Sequence, residues 1–127
     1  AQEVYVEPHA VKQLVQPTIL LTSNDTFSAA EAFTMSMREL PHVVIMGENT
    51  GGGHSDLLFR QLPNGWLFGL SNEQYKTADG VVFEGVGIPP DIYLPMSLDA
   101  LQLGQDNVLE KAIEESTLLD TAFFETK

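Results

Sequence analysis

Cysteine is missing from this sequence and basic residues are scarce. With no cysteine, the chain has no disulfide framework, no thiolate metal ligand and no thiol nucleophile, and the absence leaves the cellular compartment open. Six Lys and Arg stand against eighteen Asp and Glu, a formal net charge of −12. A phosphate backbone or an anionic lipid surface is repelled by that balance, so nucleic acid is not an expected partner. No apolar run approaches the roughly 18 residues of a bilayer-spanning helix, so membrane insertion is not expected. The three histidines, His9, His42 and His54, are scattered. No His-Glu-x-x-His and no calcium loop accompanies them, and no metal site is expected. The run Gly51-Gly52-Gly53 is followed by His54 and Ser55, without the Lys-Ser or Lys-Thr of a phosphate loop. No internal repeat or heptad array is present.

What is present suits one folded unit. At 127 residues and 43% hydrophobic, the chain has the length and composition to bury a core. The opening residues, Ala1 to Pro8, have no basic start followed by an apolar stretch and no initiator Met. The chain is therefore expected to be a piece of a longer protein.

Residues 1 to 16 read as an irregular or edge-strand lead-in. Thr18-Ile19-Leu20-Leu21-Thr22 is β-branched and apolar without alternation, the pattern of a central strand covered on both faces. Ser23 to Thr26 carries turn and capping chemistry. From Ser28, the residues Ala29, Phe33, Met37 and Leu40 recur at helical spacing, with Pro41 closing the helix. Val43 to Met46 is a second strand, so residues 18 to 46 form a parallel βαβ unit. Pro63-Asn64-Gly65 marks a hairpin between strands at 57–62 and 66–70. Ala78-Asp79-Gly80 predicts a further antiparallel pair, Gln74 to Thr77 with Val81 to Glu84, making the sheet mixed. Gly85 to Pro90 reads as an extended exit loop. Asp106 caps a final helix whose apolar stripe is expected to be Leu109, Ala112 and Ile113.

Ser28 is the most suggestive position chemically. It follows a strand and a tight polar loop and stands at a helix mouth, where unpaired amides and the positive end of the helix dipole can hold an oxyanion, the amide of Ala29 among them. This is the logic of a nucleophile elbow without its usual glycine-flanked motif. The same residues also satisfy a different rule. Ser28-Ala29-Ala30-Glu31 is Ser-x-x-Glu, a capping box in which Ser28 merely accepts a helix amide. Pattern alone leaves both open.

A serine nucleophile needs a base. His54 is the histidine placed near a strand's carboxyl end, where crevices form in open sheets; His9 and His42 read as solvated surface residues. Glu84 stands before Gly85-Val86-Gly87 and is either a surface carboxylate or the acid that orients an imidazole. Lys76 is a base only if buried, and a snorkelling lysine is commoner.

Taken together, four blocks resemble the tail-specific or C-terminal-processing serine peptidases, whose fold the tricorn core and retinoid-binding relatives share. The blocks are Thr22 to Glu31, Gly47 to Gly52, Leu62 to Gly65 and Glu84 to Asp91, and they cover roughly residues 17 to 116 in order. The resemblance implies an α/β, crotonase-like core fragment, a βαβ unit followed by antiparallel hairpins and a C-terminal helix. In this reading residues 17–116 are the C-terminal part of a catalytic domain and 117–127 a tail. It further implies that Ser28 is the nucleophile, that Ala29 supplies one oxyanion amide and that Glu84 orients a histidine. No cofactor is required. One branch of the family places a Lys after the Gly-Glu-x-Thr block, and here that stretch reads Gly51-Gly52-Gly53-His54. The resemblance therefore points to the branch whose base is an upstream His, and neither that His nor the second oxyanion segment is recognisable in residues 1 to 16.

The parent is accordingly expected to hydrolyse extended polypeptide substrates in an extracytoplasmic location. The 127-residue piece is expected to be inactive and to self-associate through an exposed half-core. The competing expectation is a non-catalytic peptide- or ligand-binding module on the same fold.

Overall fold

A computed structural model describes residue 7, residues 9–13 and residues 15–125, with side chains described through residue 118. Half of the expected lead-in at 1–16, residues 1–6, 8 and 14, lies outside the described residues.

The βαβ unit forms as expected. β1 (Thr18–Thr22), α1 (Ala29–Arg38) and β2 (Val43–Gly47) follow one another, and β1 pairs with β2 in parallel, Thr18 opposite Val43 through Thr22 opposite Gly47. β3 (Leu57–Gln61) and β4 (Leu67–Ser71) form the antiparallel hairpin around the Pro-Asn-Gly turn. A two-residue strand, β5 (Ile92–Tyr93), then adds in parallel to β2. α2 (Leu98–Gln102) and α3 (Asn107–Glu125) complete the described chain.

Several expectations are corrected. β2, not β1, is the central strand, because the order is β1-β2-β5. Among the described residues that sheet has three strands, all parallel, and the hairpin makes a separate two-stranded sheet, so the expected mixed sheet is not seen there. Gln74 to Glu84 holds no strand pair. Instead the Thr77 hydroxyl accepts the Val81 N–H at 2.8 Å while the Thr77 N–H donates to the Val81 carbonyl at 3.0 Å. A side chain has taken the amide that a ladder would use. The exit loop ends in β5, and Asp91 explains how: its N–H donates to the Ile45 carbonyl at 2.9 Å and its Oδ2 accepts the Ile45 N–H at 2.8 Å. This carboxylate imitates a strand partner just before pairing begins.

The α3 cap is as expected, with Asp106 Oδ1 accepting the Val108 and Leu109 amides at 3.1 and 2.9 Å. Its buried stripe is different. Val108 and Ala112 turn inward, while Leu109 and Ile113 stay exposed, since α3 packs on β1 and β2 along the 108–112 line. Among the described residues the buried apolar side chains are Ile45, Met46, Ile88, Val108 and Ala112. Ile45 and Met46 lie on the central strand, where neighbours cover both sides. All ten residues of the hairpin strands are exposed, with Trp66 at 72% and Leu67 at 71%.

Candidate active site

The turn after β1 is closed by the Thr26 N–H to the Ser23 carbonyl at 2.9 Å and by the Ser23 N–H to Thr26 Oγ1 at 3.0 Å. Two residues later Ser28 sits at φ 57°, ψ −125°. Among the described residues it is the one non-glycine with positive φ. Holding a side chain there costs about 1–3 kcal/mol, and the surrounding bonds hold it. The Ser28 N–H donates to the Gly53 carbonyl at 2.9 Å, and the Ser28 carbonyl accepts the Glu31 and Ala32 amides at 2.9 and 3.1 Å. The residue is exposed, and its side chain makes no cap hydrogen bond. Ala29 heads α1, so its N–H lies outside the helix's own ladder.

The capping box is therefore not built, and Glu31 has a different task. Its side chain is fully buried. Oε1 accepts the Thr50 hydroxyl at 2.5 Å and the Gly52 N–H at 2.8 Å, and Oε2 accepts the Gly53 N–H at 2.7 Å. Burial alone would raise its pKa. The Thr50 hydroxyl, the Gly52 and Gly53 amides and the neighbouring His54 together outweigh that and hold the carboxyl below its ordinary value. The other buried residue of α1 is Thr34, whereas Phe33, one of the residues at helical spacing, is 55% exposed. Glu31 meets the loop at 50–53, while the Thr34 hydroxyl donates to the Ala30 carbonyl of its own helix at 2.8 Å.

The loop after β2 carries the second carboxylate. The next two amides along it, those of His54 and Ser55, both donate to Glu84 Oε2 at 3.0 Å. Four successive N–H groups, from Gly52 to Ser55, are thus divided between two glutamates. Close backbone approach makes this possible. The Gly85 N–H donates to the Gly52 carbonyl at 2.7 Å, the Thr50 N–H to the Ile88 carbonyl at 3.1 Å, and the Ile88 N–H to Thr50 Oγ1 at 2.7 Å. At Gly87, φ is +82° and a Cβ would lie 2.0 Å from the Thr50 carbonyl oxygen, so only glycine fits.

His54 is 5% exposed. Its Nδ1 lies 3.6 Å from Glu31 Oε2 and 3.9 Å from Glu84 Oε2, beyond hydrogen-bonding length, and neither ring nitrogen has a partner among the described residues. The structure thus brings His54, Glu31 and Glu84 together on one loop, with Ser28 tied to the same loop through Gly53. The remaining candidates lie apart. His9 accepts the Val11 and Lys12 amides in an exposed local turn, the His42 carbonyl takes the Thr18 N–H, and Lys76 is exposed, which removes the burial its role as a base required. Sequence reasoning missed the roles of Glu31 and Thr50. The available signal was a glutamate one turn after the serine together with three consecutive glycines, whose amides have no side chains to obstruct them. Among the described residues no cluster of three His, Asp or Glu could hold a metal, and no helix is long and apolar enough to cross a membrane.

The sequence of residues 2–94 matches the family model described as Peptidase family S41. The chain belongs to peptidase family S41. The carboxy-terminal processing protease CtpA of Bacillus subtilis is 28% identical over 81 residues, 64% of this chain and 17% of the relative. A crystal structure from Parabacteroides merdae assigned as a peptidase superposes with a TM-score of 0.81 at 33% identity, covering 89% of this chain and 36% of that one. Mature CPAF complexed with lactacystin shares the fold at 22% identity, with a TM-score of 0.74 over 88% of this chain and 22% of that one. The chain thus spans between about a sixth and about a third of the length of these proteins.

Proposed function

We propose that this chain carries the nucleophile side of a serine peptidase site of the C-terminal-processing type, in a crotonase-like core. The observation that carries the reading is the backbone of Ser28, strained, exposed and uncapped at the mouth of α1. A serine used only to start a helix would take the extended backbone and bond a helix amide, as Ser97 does at φ −80°, ψ 124° with Ala100. Ser28 does neither, and strain of this kind is retained where a hydroxyl has to be presented.

In the proposed reaction Ser28 Oγ attacks the scissile carbonyl of an extended polypeptide while its proton passes to an imidazole. The carbonyl oxygen gains the negative charge, which the Ala29 N–H helps hold. The imidazole then protonates the leaving amine, and water releases the acyl group by the same route. Glu84 orients the imidazole. An upstream histidine beyond the 127 residues is the base this reading favours, because the His54 ring is buried between two carboxylates while Ser28 is exposed. The 127-residue chain alone is accordingly inactive. The open edges of the β3–β4 hairpin offer strand addition to the substrate backbone, with loose side-chain preference. An extracytoplasmic location follows from the family resemblance. In the full-length protein, Ser28→Ala is expected to abolish cleavage of an unstructured polypeptide at unchanged fold; retained turnover rejects the assignment.

A second reading, a peptide-binding module without turnover, is motivated by the missing base: no Lys follows the Gly-Glu-x-Thr block, where the chain reads Gly51-Gly52-Gly53-His54. If it holds, full-length protein binds extended peptide and leaves it intact.

A further inference from the structure

Glu31 is a fully buried charge one helical turn after Ser28, and the proposed chemistry does not use it. Stability alone is a poor reason to keep it, since a buried ion returns little net free energy over an apolar side chain of similar size. Its bonds show another use. One leg runs from Oε2 to the Gly53 N–H, and the Gly53 carbonyl accepts the Ser28 N–H. The other runs from Oε1 to the Thr50 hydroxyl, which in turn accepts the Ile88 N–H, and to the Gly52 N–H, whose own carbonyl accepts the Gly85 N–H beside Glu84. The loop that receives both legs then gives its next two amides to Glu84.

We propose that Glu31 is a positioning residue of the site: its carboxylate fixes the backbone of Ser28 and, through the shared loop 50–55, the placement of Ser28 relative to Glu84. The inference rests on the peptidase reading for its catalytic consequence, but not for its structural one. Glutamate suits the task because a carboxylate accepts on both oxygens at once. Glutamine does not. With its oxygen kept on Thr50 and Gly52, its NH2 faces the Gly53 N–H, donor against donor, and the leg that reaches Ser28 is lost.

The test uses the full-length protein carrying Glu31→Gln, Thr50→Val or Thr50→Ser. Glu31→Gln is expected to lower kcat about a hundredfold with KM nearly unchanged, the scale of a misplaced reacting group. Thr50→Val, the milder lesion if Glu31→Gln fails to fold, lowers kcat in the same sense, and Thr50→Ser restores it because the hydroxyl returns. A readout independent of turnover is amide hydrogen exchange, expected to accelerate at Ser28 and Gly53 in Glu31→Gln, with the Ser28 φ leaving the positive region in a crystal structure of that variant. Unchanged kcat, or unchanged exchange and unchanged Ser28 φ, overturns the proposal. Should the wild type show no turnover, the peptidase reading fails while exchange and φ still decide the role of Glu31.

Discussion

Ser28 and Gly53 are joined backbone to backbone, the serine N–H donating to the glycine carbonyl at 2.9 Å, while Gly53 in turn donates to the buried Glu31 one turn further along the serine's own helix. The ring closed by these bonds holds the serine where free peptide would not rest. Relief of that strain is measurable. Glycine adopts positive φ without a Cβ penalty, so Ser28→Gly is expected to be more stable than Ser28→Ala by about 1 kcal/mol, after allowance for glycine's larger unfolded-state entropy. Both variants lack the hydroxyl, and comparing their denaturant midpoints isolates the backbone. Equal midpoints would mean that the turn carries no strain.

Glu31 also sets a pH dependence. Its folded pKa is held below the ordinary value of 4.5, so its ionised form is favoured by folding. The sign follows from linkage: the stability it contributes is fully present above the ordinary carboxyl pKa and is lost as pH falls through the depressed folded value. Glu31→Gln should therefore cost stability at pH 7 and much less at pH 3. Chemical denaturation at the two pH values tests this, and a penalty independent of pH contradicts it.

The contact between loop 50–53 and residues 85–88 leaves no room for a methyl group. Gly87→Ala places Cβ against the Thr50 carbonyl oxygen at a positive φ, and a loss of more than about 1 kcal/mol is expected from strain and displaced hydrogen bonds. Gly80→Ala is the control, since it too has positive φ but meets nothing within 4 Å. The difference between the two variants in thermal unfolding measures the close approach by itself.

The hairpin predicts association of the 127-residue chain. Leu57, Phe59 and Leu67 lie on one face of it and Leu58, Phe68 and Leu70 on the other, all exposed. Between residues 57 and 71 the single charged side chain is Arg60, so this is where copies of a chain of net charge −12 approach with least repulsion. Sedimentation at rising concentration is expected to show larger species, and Phe59→Ser with Leu67→Ser to reduce them. A clean monomer throughout contradicts the prediction.

What was legible in the sequence was what local rules determine. The βαβ unit followed from two β-branched runs around a periodic helix, the hairpin from Pro63-Asn64-Gly65, and the α3 cap from Asp106. Contacts between distant segments were not legible. β5 is two residues long and depends on Asp91 pairing with Ile45, which no local pattern announces. The spacing of Ala29, Phe33 and Met37 announced a helix but not its buried residues, which are Glu31 and Thr34, because Glu31 takes the amides of Gly52 and Gly53. Ser-x-x-Glu likewise resembled a cap. Both residues are at the right spacing, but the partners of Glu31 come from a loop some twenty residues away.

The central claim is that the Ser28 hydroxyl is a nucleophile, and the most direct measurement is covalent. The full-length protein, treated with a serine-directed phosphonate and digested, is expected to carry one adduct, on the peptide containing Ser28, formed in proportion to the loss of peptidase activity and absent from Ser28→Ala. Turnover that survives full modification of Ser28, or an adduct on another serine that accounts for the inhibition, would contradict the account.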